Sequence, residues 1–445
     1  MSYSDRILKA LSKGSIEVGD KMELASGDFK VVGELMPKTE VGDPDTYVVK
    51  LDNGYNVGIR NASGSKVKLI SKGTGVPKFA SATVRATAGL PKVAIIYTGG
   101  TIGSKVDYKT GGVYMLIQPG ELLNEVPELA EIANIEIRHL FSIASEDLSY
   151  LEWQKVADEV ETAFKAGARG VVITMGTDTM HYTAAALSFM LKELNGPVVI
   201  TGAQRSSDRG SSDAFFNINC AVKLAASSDI AEVGTCMHDS SSDDRCAFIR
   251  GTRVRKMHTS RRDAFRPVND RQVAYVDNKL QIKYNSGYRK MLAKGKEVKT
   301  ATGYEKKVAL IKTHPNFDPT VIDTYVEKGY RGIIIEGTGL GHTPTGALHN
   351  EYGWLDHLKK AIEKGVVVGM TSQCLYGRVN GDVYRNLRLV SNLGVVYCED
   401  MTPETAYVKL AWLLGNYKPE EAKKMLNQNI AGEIKERTEP DEFLN

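Results

Sequence analysis

The chain has 445 residues, more than one hydrophobic core usually serves, so two or three domains are expected. Hydrophobic residues make up 42% and charged residues 25%, with no apolar run of the roughly 18 residues a membrane span needs; a net charge of +3 is too small to imply nucleic-acid binding by itself. The five cysteines (Cys220, Cys236, Cys246, Cys374 and Cys398) have no CxxC spacing, and the N-terminus lacks the basic-then-apolar layout of a signal peptide, which predicts no metal site, no disulfide framework and a reducing, cytoplasmic setting.

Residues 2–13 predict one short helix. Five strand-like runs follow at Lys21–Ala25, Phe29–Leu35, Thr46–Leu51, Tyr55–Arg60 and Lys66–Ile70. Asn53-Gly54 marks a hairpin between the third and fourth, because both residues tolerate positive φ. These short strands predict a small β-barrel over residues 1–70. Residues 71–90 are rich in Gly, Ser, Thr, Ala and Lys without a period and read as a linker.

From Pro91 the pattern alternates between strand and helix, the mark of a parallel sheet. Strands are expected at Val93–Tyr97, Ile135–Ile143, Gly170–Thr174, Pro197–Thr201, Val233–Asp239 and Phe248–Lys256. Ser149 and Glu152 fit a capping box, and an apolar helix is expected up to Leu194. Residues 284–306 read as a second linker, which divides an α/β block at 91–283 from another at 307–445. Strands of the later block are expected at Val308–Lys312, Gly332–Glu336 and Val366–Thr371, and Thr402-Pro403 opens a late helix. The charged tail from Glu433 is expected to fray or to dock.

Two strand ends carry hydroxyls on glycine turns. Tyr97-Thr98-Gly99-Gly100-Thr101-Ile102-Gly103 leaves Thr101 just past a buried strand, where ligands bind in open α/β sheets. Thr174-Met175-Gly176-Thr177-Asp178-Thr179 repeats the arrangement and adds a carboxylate, although Thr177 or Asp178 could equally serve as a helix cap. A nucleophilic threonine needs a base and an orienting group. Lys256, within the basic run Arg250 to Arg262, supplies a group able to shuttle a proton. That run also reads as a solvated strand edge or a phosphate-attracting patch. Gly337 to His342 lacks the pattern of a phosphate loop and reads as a structural turn; Cys374 reads as near a subunit contact or as a buried thiol.

In order and spacing, Thr98 to Gly103, Ser145-Glu146-Asp147, Thr174 to Thr179, and Lys256 followed by Met257-His258-Thr259 resemble the signatures of the bacterial-type L-asparaginase/glutaminase family, over about residues 91–420. The resemblance implies a larger α/β domain followed by a smaller one. The fold expected is therefore α/β: a small N-terminal β-barrel, then a two-domain asparaginase-like fold with parallel sheets. By position, the resemblance makes Thr101 the nucleophile on a mobile loop. Thr177, Asp178 and Lys256 become the second hydroxyl, carboxylate and proton relay, and Ser145, Glu146 and Asp178 hold the substrate's α-amino and α-carboxylate groups. Gly103, Gly111 and Gly112 would let the loop act as a lid. The family's lid tyrosine corresponds to Tyr108 or Tyr114, and the register leaves the choice open.

A free asparaginase has no need for the residues ahead of Pro91. The whole layout resembles the asparaginase-like subunit of archaeal glutamyl-tRNA(Gln) amidotransferases. In that system the amide of Gln or Asn is hydrolysed for ammonia, without a cofactor in this subunit. A partner subunit of the E type then uses ATP and Mg to convert Glu-tRNA(Gln) into Gln-tRNA(Gln). The resemblance further implies a homodimer core within a heterotetramer, with tRNA(Gln) engaged through the complex. Two other readings stay open: a free cytosolic L-asparaginase with an accessory N-terminal domain, and a catalytically dead RNA- or protein-binding scaffold.

Overall fold

A computed structural model describes residues 3–27, 29–36, 38, 43–51, 56–73, 87–100, 104–106, 113–115, 126–205, 212–285, 287–293, 295 and 297–443. At the N-terminus the Ser4 hydroxyl accepts from the Ile7 amide (3.3 Å) and caps helix Asp5–Lys13. Its apolar face, Ile7 and Leu11, packs on Met22, Leu24, Leu35, Tyr47 and Val49. Those residues come from strands β1 (Lys21–Ser26), β2 (Phe29–Leu35) and β3 (Thr46–Lys50), which alternate inward and outward. With β4 (Asn56–Arg60) and β5 (Lys66–Ser71) they form one sheet of order β4-β3-β2-β1-β5. The Ser26 hydroxyl donates to Arg60 O and meets Ser65 Oγ, each at 2.7 Å, so the segment joining β4 to β5 is gathered over the end of β1.

The large sheet is built from β6 (Lys92–Tyr97), β9 (Asn134–His139), β10 (Gly170–Thr174), β12 (Val198–Thr201), β13 (Val233–His238), β14 (Arg245–Arg250), β17 (Ala274–Asp277) and β18 (Ile282–Tyr284). Its order is β18-β17-β14-β13-β12-β10-β6-β9. The five strands from β9 to β13 are parallel, and the last three are antiparallel additions. Between β6 and β9 lies a short hairpin of β7 (Ser104–Val106) and β8 (Val113–Met115), within a stretch expected to be loop. From β6 the chain moves outward to β9, then crosses back to β10 on the other side of β6. The carboxyl ends of β6 and β10 are therefore a topological switch point, the crevice where such sheets bind ligands.

Three expected elements end differently. The helix read as reaching Leu194 stops at Met190, because β11 (Leu191–Lys192) turns extended to pair with β19 (Lys299–Thr300), inside the stretch read as a linker. The strand expected over Ile135–Ile143 ends at His139. The strand expected over Phe248–Lys256 is two: β14 stays in the sheet, while β15 (Val254–Lys256) leaves it to pair with β16 (Phe265–Pro267). The break falls at Gly251, where an added Cβ would lie 2.7 Å from Ser188 Oγ and 2.8 Å from Ala184 O; only glycine lets the chain pass so near that helix.

The second sheet is fully parallel, β20 (Val308–Lys312), β21 (Gly332–Gly337), β22 (Val367–Ser372) and β23 (Val396–Tyr397). Helix Pro403–Asn416 starts where Thr402 Oγ1 accepts from the Thr405 amide, with proline in the first turn. It lies between the two sheets: Trp412 stacks on Phe189 (5.7 Å), and Val408, Leu410 and Leu413 share one core with Ala185, Leu187 and Ile334. Gly337 to His342 forms a tight turn, with the Thr338 and His342 amides each bonded to the other's carbonyl.

The charged tail docks. Glu433, fully buried, meets the fully buried Lys409 Nζ at 2.6 Å and accepts from the Ile430 and Ala431 amides. Removing one partner of a buried pair leaves the other charge uncompensated, a cost of about 3–5 kcal/mol. Glu433→Ala should therefore lower the unfolding free energy by about that much, read as a fall in denaturant midpoint with an unchanged slope.

Candidate active site

Parallel pairing places Tyr97 directly beside Thr174, so the two hydroxyl-bearing turns leave the sheet side by side. The first is latched to the second: the Thr98 amide (3.1 Å) and hydroxyl (2.8 Å) both donate to Thr174 O. Gly99 and Gly100 follow at φ 115° and 88°, a region that favours glycine. A Cβ on Gly100 would lie 2.3 Å from Gly176 N, so the turns touch backbone to backbone. Thr101, Gly103, Tyr108, Gly111 and Gly112 lie outside the described residues; Tyr114 belongs to β8, of which only the backbone is described.

The structure brings Thr177, Asp178 and Lys256 together. Lys256 Nζ lies 2.9 Å from Thr177 Oγ1 and 2.6 Å from Asp178 Oδ1. Thr177 and the Lys256 side chain are more than nine-tenths buried, whereas the Asp178 side chain is 68% exposed. The hydroxyl and amine thus sit at the floor and the carboxylate at the mouth. Neither Thr177 nor Asp178 caps a helix. Helix Met180–Met190 takes Thr179 as its N-cap residue, and Thr179 Oγ1 donates instead to Ser145 O (2.6 Å). That bond seats the short 3₁₀ turn Ser145–Asp147 against the second hydroxyl turn. Ser145 is buried there, its hydroxyl 3.4 Å from Glu146 Oε2, and Glu146 is exposed.

Residues missed in the sequence complete the surround. Gln204 Oε1 lies 3.5 Å from Thr177 Oγ1, and the Gln204 amide nitrogen is buried without a partner among the described residues. The Asp213 carboxylate accepts from the backbone amides of Gln204 and Arg205, which holds this turn. Asp213 opens a helix after a polar loop, a position that reads as an ordinary cap, so nothing local marked it out.

The basic run is not a free positive patch. Arg250 pairs with Glu232 and Asp270, Arg253 with Asp400, Arg255 with Glu404, Arg261 with Asp263 and Arg262 with Asp243. His258 is used locally: its Nδ1 accepts from the Ser260 and Arg261 amides. Cys374 is exposed rather than buried. Among the described residues no cluster of His, Cys, Asp or Glu could hold a metal ion.

Residues 92–288 match the family model "Asparaginase, N-terminal", 307–426 the "Glutaminase/Asparaginase C-terminal domain" and 16–70 the "GatD N-terminal domain". Over 447 residues the chain is 48% identical to the D-type subunit of the glutamyl-tRNA(Gln) amidotransferase of Pyrococcus furiosus, covering 99% of this chain and 100% of that one. The chain belongs to the family of D-type subunits of glutamyl-tRNA(Gln) amidotransferase. The member from Methanothermobacter thermautotrophicus is 46% identical over 441 residues, 98% of each chain. Among solved structures, the L-asparaginase of Thermococcus kodakarensis superposes with a TM-score of 0.68 at 30% identity, covering 78% of this chain and 100% of that one. L-asparaginase I of Vibrio cholerae gives 0.67 at 30% identity, covering 78% and 99%. This chain thus joins the asparaginase fold to an added N-terminal β domain, as the residues ahead of Pro91 suggested.

Two outcomes follow from this geometry. A Cβ on Gly176 would lie 2.8 Å from Ser145 Cβ and 3.1 Å from its backbone nitrogen, so Gly176→Ala should displace the Ser145–Asp147 turn and raise KM with the fold retained, measured by steady-state kinetics alongside circular dichroism. His181, one turn beyond Asp178, is pushed down to about 4 by burial and then by Arg255 and Lys256, against an ordinary value of about 6.5. Between these values the unfolded chain binds a proton that the folded chain does not, so stability is full above about 6.5 and is lost as pH falls toward 4. His181→Gln should flatten the unfolding free energy against pH in that window, measured by denaturant titration at several pH values.

Proposed function

We propose that this chain is the amide-hydrolysing subunit of a tRNA-dependent amidotransferase, releasing ammonia from the side chain of glutamine or asparagine. The observation that carries the reading is Lys256 Nζ shared between Thr177 Oγ1 and Asp178 Oδ1 at the switch point of the large sheet. Family membership with end-to-end coverage, and the match of residues 16–70 to the "GatD N-terminal domain", support it.

In this reading Thr101 is the nucleophile. Its hydroxyl adds to the amide carbon, backbone amides receive the negative charge on oxygen, and the C–N bond breaks as nitrogen takes up a proton and leaves as ammonia. Water then cleaves the resulting ester and frees the acid. Thr177, Asp178 and Lys256 relay the protons. Ser145, Glu146 and Asp178 hold the substrate's α-substituents, and Gly103, Gly111 and Gly112, with Tyr108 or Tyr114, form the lid. No metal or cofactor is assigned to this step.

The ammonia passes to a partner subunit of the E type, which uses ATP and Mg to convert Glu-tRNA(Gln) into Gln-tRNA(Gln); tRNA(Gln) is engaged through that complex, in the cytoplasm, around a homodimer of this chain. Residues 1–70, 91–283 and 307–445 divide the labour as accessory, catalytic and supporting domains. General acid–base groups contribute about 10²–10⁴-fold, so Lys256→Ala should lower kcat for ammonia release by that factor with the fold intact. Unchanged release from both Thr101→Ala and Lys256→Ala would overturn the mechanism.

A further inference from the structure

The run Arg253-Val254-Arg255-Lys256, whose last three residues are β15, carries three cations, and their sides alternate as an extended chain requires. Arg253 and Arg255 both reach acids of the second block, on or just before helix Pro403–Asn416; Lys256 faces the other way, into the site. Arg253 Nη1 meets Asp400 Oδ2 at 3.0 Å, with both side chains essentially fully buried. Arg255 Nη1 meets Glu404 Oε1 at 2.8 Å. Nearby, Thr405 Oγ1 donates to Thr252 O (3.0 Å), which adds a third tie at the start of β15.

Glu404 differs from the other anchors because it touches both β15 and the helix that follows Asp178. It is 5% exposed, and the same Oε1 lies 3.8 Å from His181 Nε2. His181 sits three residues after Asp178, on the first turn of helix Met180–Met190. One carboxylate oxygen therefore lies against the neighbour of Lys256 and against the helix that follows Asp178. Its other oxygen has no partner among the described residues. Burial disfavours an anion here, and Arg255 is the cation that compensates it. Arg255 is itself 28% exposed at the side chain, so hydrophobic packing alone does not hold it.

The geometry points to Glu404 as a positioning residue for amide hydrolysis. From the second α/β block it clamps Arg255 against the His181 turn and so holds Lys256 Nζ within reach of Thr177 and Asp178. It touches neither substrate nor reacting atoms. This inference rests on Lys256 acting as the proton relay. It gives the second block a part in the chemistry of its own chain beyond covering the core.

The test is ammonia release from glutamine and from asparagine by the full-length protein. A misplacement of about 1 Å can cost about 10²-fold in rate. Glu404→Gln should lower kcat by about that factor, with KM changed less than about threefold. Arg255→Lys keeps the buried charge but not the reach, and should lower kcat in the same way where Glu404→Gln folds poorly. The double variant Arg255→Met with Glu404→Gln removes both charges at similar volume. It should recover the thermal midpoint lost in the single variants while kcat stays low. Recovery of kcat together with the midpoint would assign Glu404 a folding role only and overturn the inference. Full kcat in a folded Glu404→Gln, beside a dead Lys256→Ala, would also overturn it while leaving the relay intact. Full kcat in Lys256→Ala would overturn the relay, and the inference with it.

Discussion

Lys256 Nζ, held between the Thr177 hydroxyl and the Asp178 carboxylate, is the contact on which the site depends. It joins residues 78 and 79 positions apart in sequence, on a turn after β10 and on a hairpin that leaves the sheet. A lysine buried to this degree needs partners for its donors, since an unpaired buried charge costs several kcal/mol. The same amine thus bridges a buried hydroxyl at the floor of the crevice and a carboxylate exposed at its mouth.

The rest of the architecture serves to bring those atoms together. The crossover from β9 back to β10 opens the crevice, and parallel register sets Tyr97 against Thr174. Glycines then let the turns close in. Gly100 lies against Gly176 backbone to backbone, and Gly176 in turn lies against Ser145. Each contact is near enough to exclude a side chain, so the three stretches form one packed surface rather than three loops. The break at Gly251 frees β15 from the sheet and lets Lys256 swing over the crevice.

Charge is handled by internal pairing. The arginines from 250 to 262 meet carboxylates from Glu232 just ahead of β13, from the 239–244 and 263–270 segments and from the second block, so a run that reads as a basic edge is paired within the fold. Two of those pairs, Arg253 with Asp400 and Arg255 with Glu404, tie the second block to the strand of the site. The buried Lys409–Glu433 pair brings the tail back onto the same region, where Arg253 Nε also donates to Gly432 O.

Much of this was legible in the sequence because it is local. Short strand-like runs marked the strands of the N-terminal sheet, an apolar run marked the strand Gly170–Thr174, Ser149 and Glu152 marked their capping box, and Thr402-Pro403 marked its helix start. The motifs placed Thr177, Asp178, Ser145 and Lys256 at one site because each sits on a turn after a strand or on a strand edge, and their order resembles one family. Where contacts between distant segments compete with local propensity, the sequence was silent. Helix Met180–Met190 ends early because β19 captures Leu191, and β14 parts from β15 because helix packing at Gly251 forbids a straight strand. Thr177 was free to face Lys256 only because Thr179 took the N-cap position and Ser145 O took its hydroxyl. Gln204, Asp213 and Glu404 gave no local sign, since their partners lie at a distance along the chain. By itself, then, the sequence determined the elements, the family and the chemical groups; tertiary structure alone decided which charges face each other, because burial and distance belong to the folded chain.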